Sequence, residues 1–261
     1  MRWISFQQAD ISKNSFEALK DFASNNLGDD NSSKHFIPRK KAIAFVYVTN
    51  DEVFRLDQNY FIQNSGYNDF SGGYKRFYKL IPEDMLKSEA KSVILQFKRY
   101  YNIPDGTIML VQIQSSIIEP STSLSSSRTS VTGQGIHTDG ASQAILVCLE
   151  RKNVSGAENS FFKDLNGTKQ IGKGKVLNEG DAVLFRDNEL YHYVSPALPK
   201  DTSKLMRRSI MLIHSPADMF LNGTTSKENS GGTRESFVKL RKEQGEGGEV
   251  KKQKDLWSVG Q

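Results

Sequence analysis

The chain has 261 residues, 37% hydrophobic and 25% charged, with a formal net charge of +5. That length can bury a sizeable core, and the composition suits a globular protein with polar loops. No apolar run approaches the roughly 20 residues a membrane-spanning helix needs, and a single cysteine, Cys148, excludes an internal disulfide.

The N-terminal segment "MRWISFQQADISKNSFEALK" has no long apolar h-region, so a cytoplasmic location is expected rather than secretion. Within it, Phe16, Leu19 and Phe22 recur at helical spacing and predict a helix over 14–26, ending before Gly28. "AIAFVYVT" (42–49) is a buried strand by composition. "PEDMLKSEAKSVILQFKRYY" (82–101) opens with Pro82 and two acids and predicts one helix. The periodicity then changes to short β segments bounded by turns: 107–118, 141–150, 181–187, 190–195 and 207–214.

Helices are therefore expected in the first 105 residues and strands in the next 110. That order suggests a β-sandwich or barrel with N-terminal helices supporting one face. "STSLSSSRTSVTGQG" (121–135) is a Ser/Thr/Gly loop, and from 223 onward the chain becomes a polar extension. The expected organisation is one domain over 1–222, with helical support in 1–105 and a β core in 106–216, followed by 223–261.

Four histidines limit the chemistry: His35, His137, His192 and His214. His35 lies in a polar stretch and reads as a surface residue. "GIHTDG" (135–140) places His137 and Asp139 two apart, on one face if the backbone is extended. Gly135 and Gly140 either turn the chain there or leave room beside the pair. In "GDAVLFRDNELYHYVSPA" (180–197), two strands joined at "RDNE" would form a hairpin with His192 on its return arm. Two imidazoles and one carboxylate on a single face make a triad suited to Fe(II), with coordination positions left open.

"MRRSIMLIHSP" (206–216) puts arginine into an apolar strand, which calls for an anion opposite it. The inward set is either Arg208, Ile210, Leu212 and His214, or Arg207, Ser209, Met211 and Ile213. Alternation does not choose between them. His214 competes with His192 as third ligand. With His214 as ligand the next arginine would be Arg234, in the polar tail and badly placed for a buried anion, so His192 is favoured.

From about residue 59 to 214 the chain resembles the Fe(II)/2-oxoglutarate dioxygenases, in particular the free-amino-acid hydroxylases typified by L-isoleucine 4-hydroxylase. "NYFIQNSGYNDFSGGYKRFYKL" (59–80), "HTDG", "GAEN" (156–159), "LYHYVSP" (190–196) and "RRSIML" (207–212) carry the resemblance. It implies a mainly β fold with supporting α, built on a double-stranded β-helix (jelly-roll, cupin-like) core with N-terminal helices. It also implies Fe(II), 2-oxoglutarate and O₂, with His137, Asp139 and His192 as metal ligands. Its R-x-I pattern selects Arg208 over Arg207 for the 2-oxoglutarate carboxylate.

The implied reaction is hydroxylation of a C–H bond of a free or N-substituted amino acid. Tyr74, Arg76, Gln112 and Gln114 are candidate substrate contacts. Asp139 argues against a halogenase, which has a small residue at that ligand position. The "PRKK" segment (38–41) and the 121–134 loop have no counterpart in the family. The surplus of Lys and Arg keeps an oxidative, ring-forming cyclase of an N-alkylated acidic amino acid, as in kainoid synthesis, as an alternative. An AlkB-like nucleic-acid demethylase would carry a second arginine where His214 stands. Basic residues interleaved with aromatics are also missing, so nucleic acid is not favoured. A non-catalytic cupin-like binding module would share only the fold.

Overall fold

The computed structural model describes residues 3–30, 37–64, 67, 72–122, 129–132 and 135–222. His35, most of the Ser/Thr-rich loop and the 223–261 extension lie outside the described residues.

The principal elements are β1 (Ile4–Gln8), α1 (Lys13–Asn25), β2 (Arg39–Thr49), α2 (Glu83–Lys87), α3 (Lys91–Tyr101), β3 (Met109–Ile118), β4 (Gln143–Lys152), β5 (Glu158–Phe162), β6 (Asp181–Phe185), β7 (Tyr191–Val194), β8 (Met206–Ser215) and α4 (Asp218–Leu221). Six of them form one sheet in the order β1–β6–β4–β8–β3–β2, with short strands extending its β2 edge. A second, smaller sheet places β5 between Lys175–Val176 and β7. Strands predominate, in the expected jelly-roll, cupin-like arrangement. No helix among the described residues is long and apolar enough to cross a membrane.

The large sheet is buried on both faces, and its period-2 alternation sorts side chains between them. Ala42, Val111, Val147, Met211 and Ile213 point to one side, where they pack with Leu19 and Phe22 of α1 and Val93, Ile94 and Phe97 of α3. Burying each large apolar side chain contributes about 1.5–3 kcal/mol. Ala144, Leu146, Cys148, Phe185 and Ile210 point the other way and meet Phe161 of the small sheet. The second face borders the cavity described below. Cys148 is buried there as a small apolar residue.

Helix α1 starts where Ser12 Oγ accepts the Ser15 amide at 3.1 Å, a side-chain N-cap. The helix expected over 82–101 is instead two helices, broken at residues 88–90. Ser88 Oγ donates to the Asp84 carbonyl, the group its own amide also uses, and this local competition loosens the helical ladder.

Two further expectations change. The first 105 residues supply β1 to the main sheet, besides the expected strand β2 and the helices. The expected 180–197 hairpin does not form, because β6 pairs with β1 and β4 while β7 pairs with β5. The "RDNE" turn therefore carries the chain from one sheet to the other. Asp187 within it is fully buried and holds the crossing in place through the bonds described next.

Candidate metal centre

His137, in the loop that precedes β4, stands opposite His192 of β7. Their backbones exchange hydrogen bonds of 3.0 and 2.7 Å, an isolated antiparallel bridge that ties the loop to the small sheet. Asp139 follows two residues after His137, in a loop rather than a strand. Ligand-competent atoms of His137, Asp139 and His192 all lie within 4.8 Å of one another. His137 Nε2 is 3.7 Å from Asp139 Oδ1, and His192 Nε2 is 3.7 Å from Asp139 Oδ2.

Hydrogen bonds behind these atoms fix their chemistry. His137 Nδ1 lies 3.0 Å from the Gly135 carbonyl, which can only accept, so Nδ1 carries the proton and Nε2 presents its lone pair to the site. His192 Nδ1 lies 3.3 Å from Asp187 Oδ1, within ion-pair reach but off hydrogen-bond alignment. His214 Nε2 donates to Asp139 Oδ2 at 3.0 Å, and its Nδ1 accepts from Gln112 Nε2 at 3.2 Å. His214 thus stands behind Asp139 and gives it a proton to lean on. Gln63 Nε2 donates to the Asp139 carbonyl at 3.0 Å.

The electrostatics follow from burial and these neighbours. Burial first, and then the adjacent His192, push the His137 pKa down to about 4. Burial alone would raise the Asp139 carboxyl, but the His214 hydrogen bond and the three imidazoles hold it well below its ordinary range. Burial likewise opposes a charged His192, and the Asp187 and Asp139 carboxylates more than offset that, raising its pKa. An ionised carboxylate beside an imidazole that stays neutral is the donor set a divalent cation requires.

Asp187 was not legible as a site residue; its signal, an acid in a turn, suggests only solvent. Its side chain accepts the amides of Asp139 (3.1 Å), Gly140 (2.7 Å) and Ala141 (3.1 Å) and the Thr138 hydroxyl (3.0 Å). One buried carboxylate therefore shapes the whole "HTDG" turn. Gly140 belongs to that turn, at φ +94°, and the space a side chain would take is filled by Tyr67 and Met219 rather than by the metal site.

β8 settles its own alternation. Arg208, Ile210, Leu212 and His214 line the cavity that contains the triad. The other set turns away: Arg207 lies 3.7 Å from Glu150, and Met211 and Ile213 pack under the helices. Arg208 is 3% exposed, and its guanidinium has no hydrogen-bond or ion-pair partner among the described residues. Burial lowers its pKa to about 10. A buried cation in that state fits an incoming anion.

The candidate substrate contacts divide. Arg76, Gln112 and Gln114 line the same cavity; Tyr74 does not. Arg76 stacks 4.3 Å over the Phe61 ring and donates to Gln63 Oε1 at 3.1 Å, while Gln112 is committed to His214. Lys41, from the unmatched "PRKK" segment, also lines the cavity.

No curated protein matches the sequence. Among solved structures, a bsmA homolog from Methylobium petroleophilum PM1 superposes with a TM-score of 0.60 at 17% identity, covering 83% of this chain and 84% of that one. The Fe(II)/(alpha)ketoglutarate-dependent dioxygenase TqaL gives 0.58 at 16% identity, over 82% of each chain. IDO from Bacillus thuringiensis gives 0.57 at 11% identity, over 81% and 92%. At such identities the likeness speaks for the fold. The family model of the 2OG-Fe dioxygenases matches residues 22–214, which take in both sheets apart from β1, together with the triad and Arg208. On that match the chain belongs to the 2OG-Fe dioxygenase family and is an Fe(II)- and 2-oxoglutarate-dependent dioxygenase.

Proposed function

We propose that His137, Asp139 and His192 hold the iron, that Arg208 holds the distal carboxylate of 2-oxoglutarate, and that the enzyme hydroxylates a C–H bond of a free or N-substituted amino acid. The observation that carries this reading is a single cavity lined by the triad and by a buried, unpartnered guanidinium, with Ile210 and Leu212 between Arg208 and His214 on β8. Two imidazoles and one carboxylate are the donors this metal takes when positions must stay open.

When bound, Fe(II), 2-oxoglutarate and O₂ couple oxidative decarboxylation to succinate and CO₂ with oxidation of a substrate C–H bond. The chain's own residues prepare that chemistry. The Gly135 carbonyl fixes the His137 tautomer, and His214, backed by Gln112, orients the Asp139 carboxylate. Gln63 bridges Arg76 to the Asp139 backbone and so connects the substrate side of the cavity to a ligand. Leu146, Phe161, Phe185 and Leu212 supply apolar walls that exclude water from a reactive centre.

The amino-acid substrate is supported by the motif resemblance over 59–214 and by the polar Arg76 and Gln114 beside the apolar walls. Amino acids and N-substituted amino acids should be screened for substrate-dependent succinate release, with mass spectrometry of the products. A gain of one oxygen is expected. Loss of two hydrogens would replace hydroxylation by ring closure or desaturation, and stimulation only by compounds lacking an amino-acid group would refute the substrate class.

A further inference from the structure

The cavity contains a further cation, Lys41, that the proposed co-substrate does not use. Lys41 lies on β2 opposite Gln114 of β3, which in turn lies opposite Ile210 of β8, so its side chain emerges on the cavity face of the sheet. The residue is 5% exposed. Its ammonium sits 5.1 Å from the centroids of both Phe61 and Tyr78, which stack on each other at 5.4 Å. Among the described residues no carboxylate or other acceptor lies within ion-pair or hydrogen-bond reach of Nζ.

Two aromatic faces recover only part of an ammonium's hydration. The surroundings add to the imbalance. Arg39 and Arg76 are like-charged neighbours; Arg39 is already paired with Asp30 at 2.7 Å, and Arg76 is engaged with Gln63 and Phe61. Burial, followed by the charge on Arg39, lowers the Lys41 pKa to about 7. The Asp30 and Asp139 carboxylates favour the charged lysine from a distance, but neither forms an ion pair with it as Asp30 does with Arg39. Arg208 is the other cation of this cavity without a partner among the described residues, and the reading above assigns it to 2-oxoglutarate.

We infer that Lys41 Nζ is the carboxylate anchor of the primary substrate, which is therefore an organic acid held beside Phe61 and Tyr78. The inference rests on the reading that Arg208 serves the co-substrate, and it extends that reading to substrate class. A neutral substrate would leave Lys41 uncompensated, and a purely cationic amine would in addition meet like charge from Lys41 and Arg76. An acid neutralises the ammonium and gains from sparse competition by water.

The test uses the full chain labelled with ¹³C,¹⁵N-lysine, loaded with Zn(II) and 2-oxoglutarate, and acetate as the probe. The Lys41 signal is identified by its disappearance in Lys41→Met. Acetate at millimolar concentration should shift that signal saturably, whereas neutral acetamide should leave it in place. With 2-oxoglutarate present, acetate should raise the Tm of the wild type and Lys41→Arg, but not of Lys41→Met. Absence of an acetate-dependent shift, or an equal response to acetamide, overturns the inference. Loss of the anaerobic Fe(II)–2-oxoglutarate absorption band in Lys41→Met also overturns it, by assigning Lys41 to the co-substrate. Absence of that band in the wild type would instead strike the proposed function, while the lysine signal would still report on Lys41.

Discussion

Lys41 illustrates how a binding group can work against stability. Its pKa falls from 10.5 to about 7 on burial, equivalent to on the order of 5 kcal/mol against the charged form. Because the folded pKa is lowered, the unfolded chain binds more protons between these values, and stability rises with pH across that window. Lys41→Met should therefore stabilise the ligand-free protein by a few kcal/mol at pH 6, with the gain shrinking as pH climbs from 7 towards 10. Denaturant unfolding at several pH values checks this, and a destabilised variant at pH 6 would mean that Lys41 is a packing residue. Arg208→Met is expected to raise the KM for 2-oxoglutarate about ten- to a hundredfold, the worth of charge-assisted hydrogen bonds to a carboxylate. An unchanged KM would place the co-substrate carboxylate elsewhere.

At the scale of elements, the turn around Asp187 decides whether the triad assembles. Two segments distant in sequence, 137–141 and 187–192, are joined by a backbone bridge and by one carboxylate that satisfies three amides. Asp187→Asn replaces one acceptor oxygen with a donor facing those amides, and leaves His192 Nδ1 without its carboxylate. Metal affinity should fall on the order of 10–100-fold, as for other groups that orient ligands, read by competition with a chelating dye. Unaltered affinity would show that the turn holds without the charge.

The same region shows what the sequence discloses. "HTDG" and "LYHYVSP" mark the residues that converge because their side-chain types are rare together. Asp187 stays hidden because a turn acid usually faces solvent. The strand pairing of 180–197 also escaped, since alternation shows that a segment is a strand but not which partner its edges find. Ser88 broke a helix that apolar spacing alone extends.

Across the whole molecule, the β-rich second half and the helices backing it followed from periodicity, and the resemblance supplied the jelly-roll. The contribution of β1 did not, because "ISFQQ" is short, mostly half-buried and ends in two glutamines. It is stabilised by pairing with β6, a contact nearly 180 residues away in sequence. Arg207 and Arg208 were indistinguishable by alternation, and the packing of α1 and α3 on one face of the sheet separates them. Net charge left room for an anionic partner without locating one; the fold gathers Arg208, Lys41, Arg39 and Arg76 around one cavity. Ligands that bind only the folded chain stabilise it by mass action, about 2.7 kcal/mol at a hundredfold excess over Kd. Metal and 2-oxoglutarate together should thus raise the Tm by several degrees in the wild type and much less in Arg208→Met.

The central claim is that His137, Asp139 and His192 form the iron site. It is tested most directly by succinate formation from 2-oxoglutarate, with Fe(II) and O₂, in the wild type and Asp139→Ala side by side. The wild type should release succinate in an iron-dependent manner, and Asp139→Ala, folded by circular dichroism, should lose that release together with the anaerobic Fe(II)–2-oxoglutarate band. Wild-type succinate release by Asp139→Ala would contradict the account.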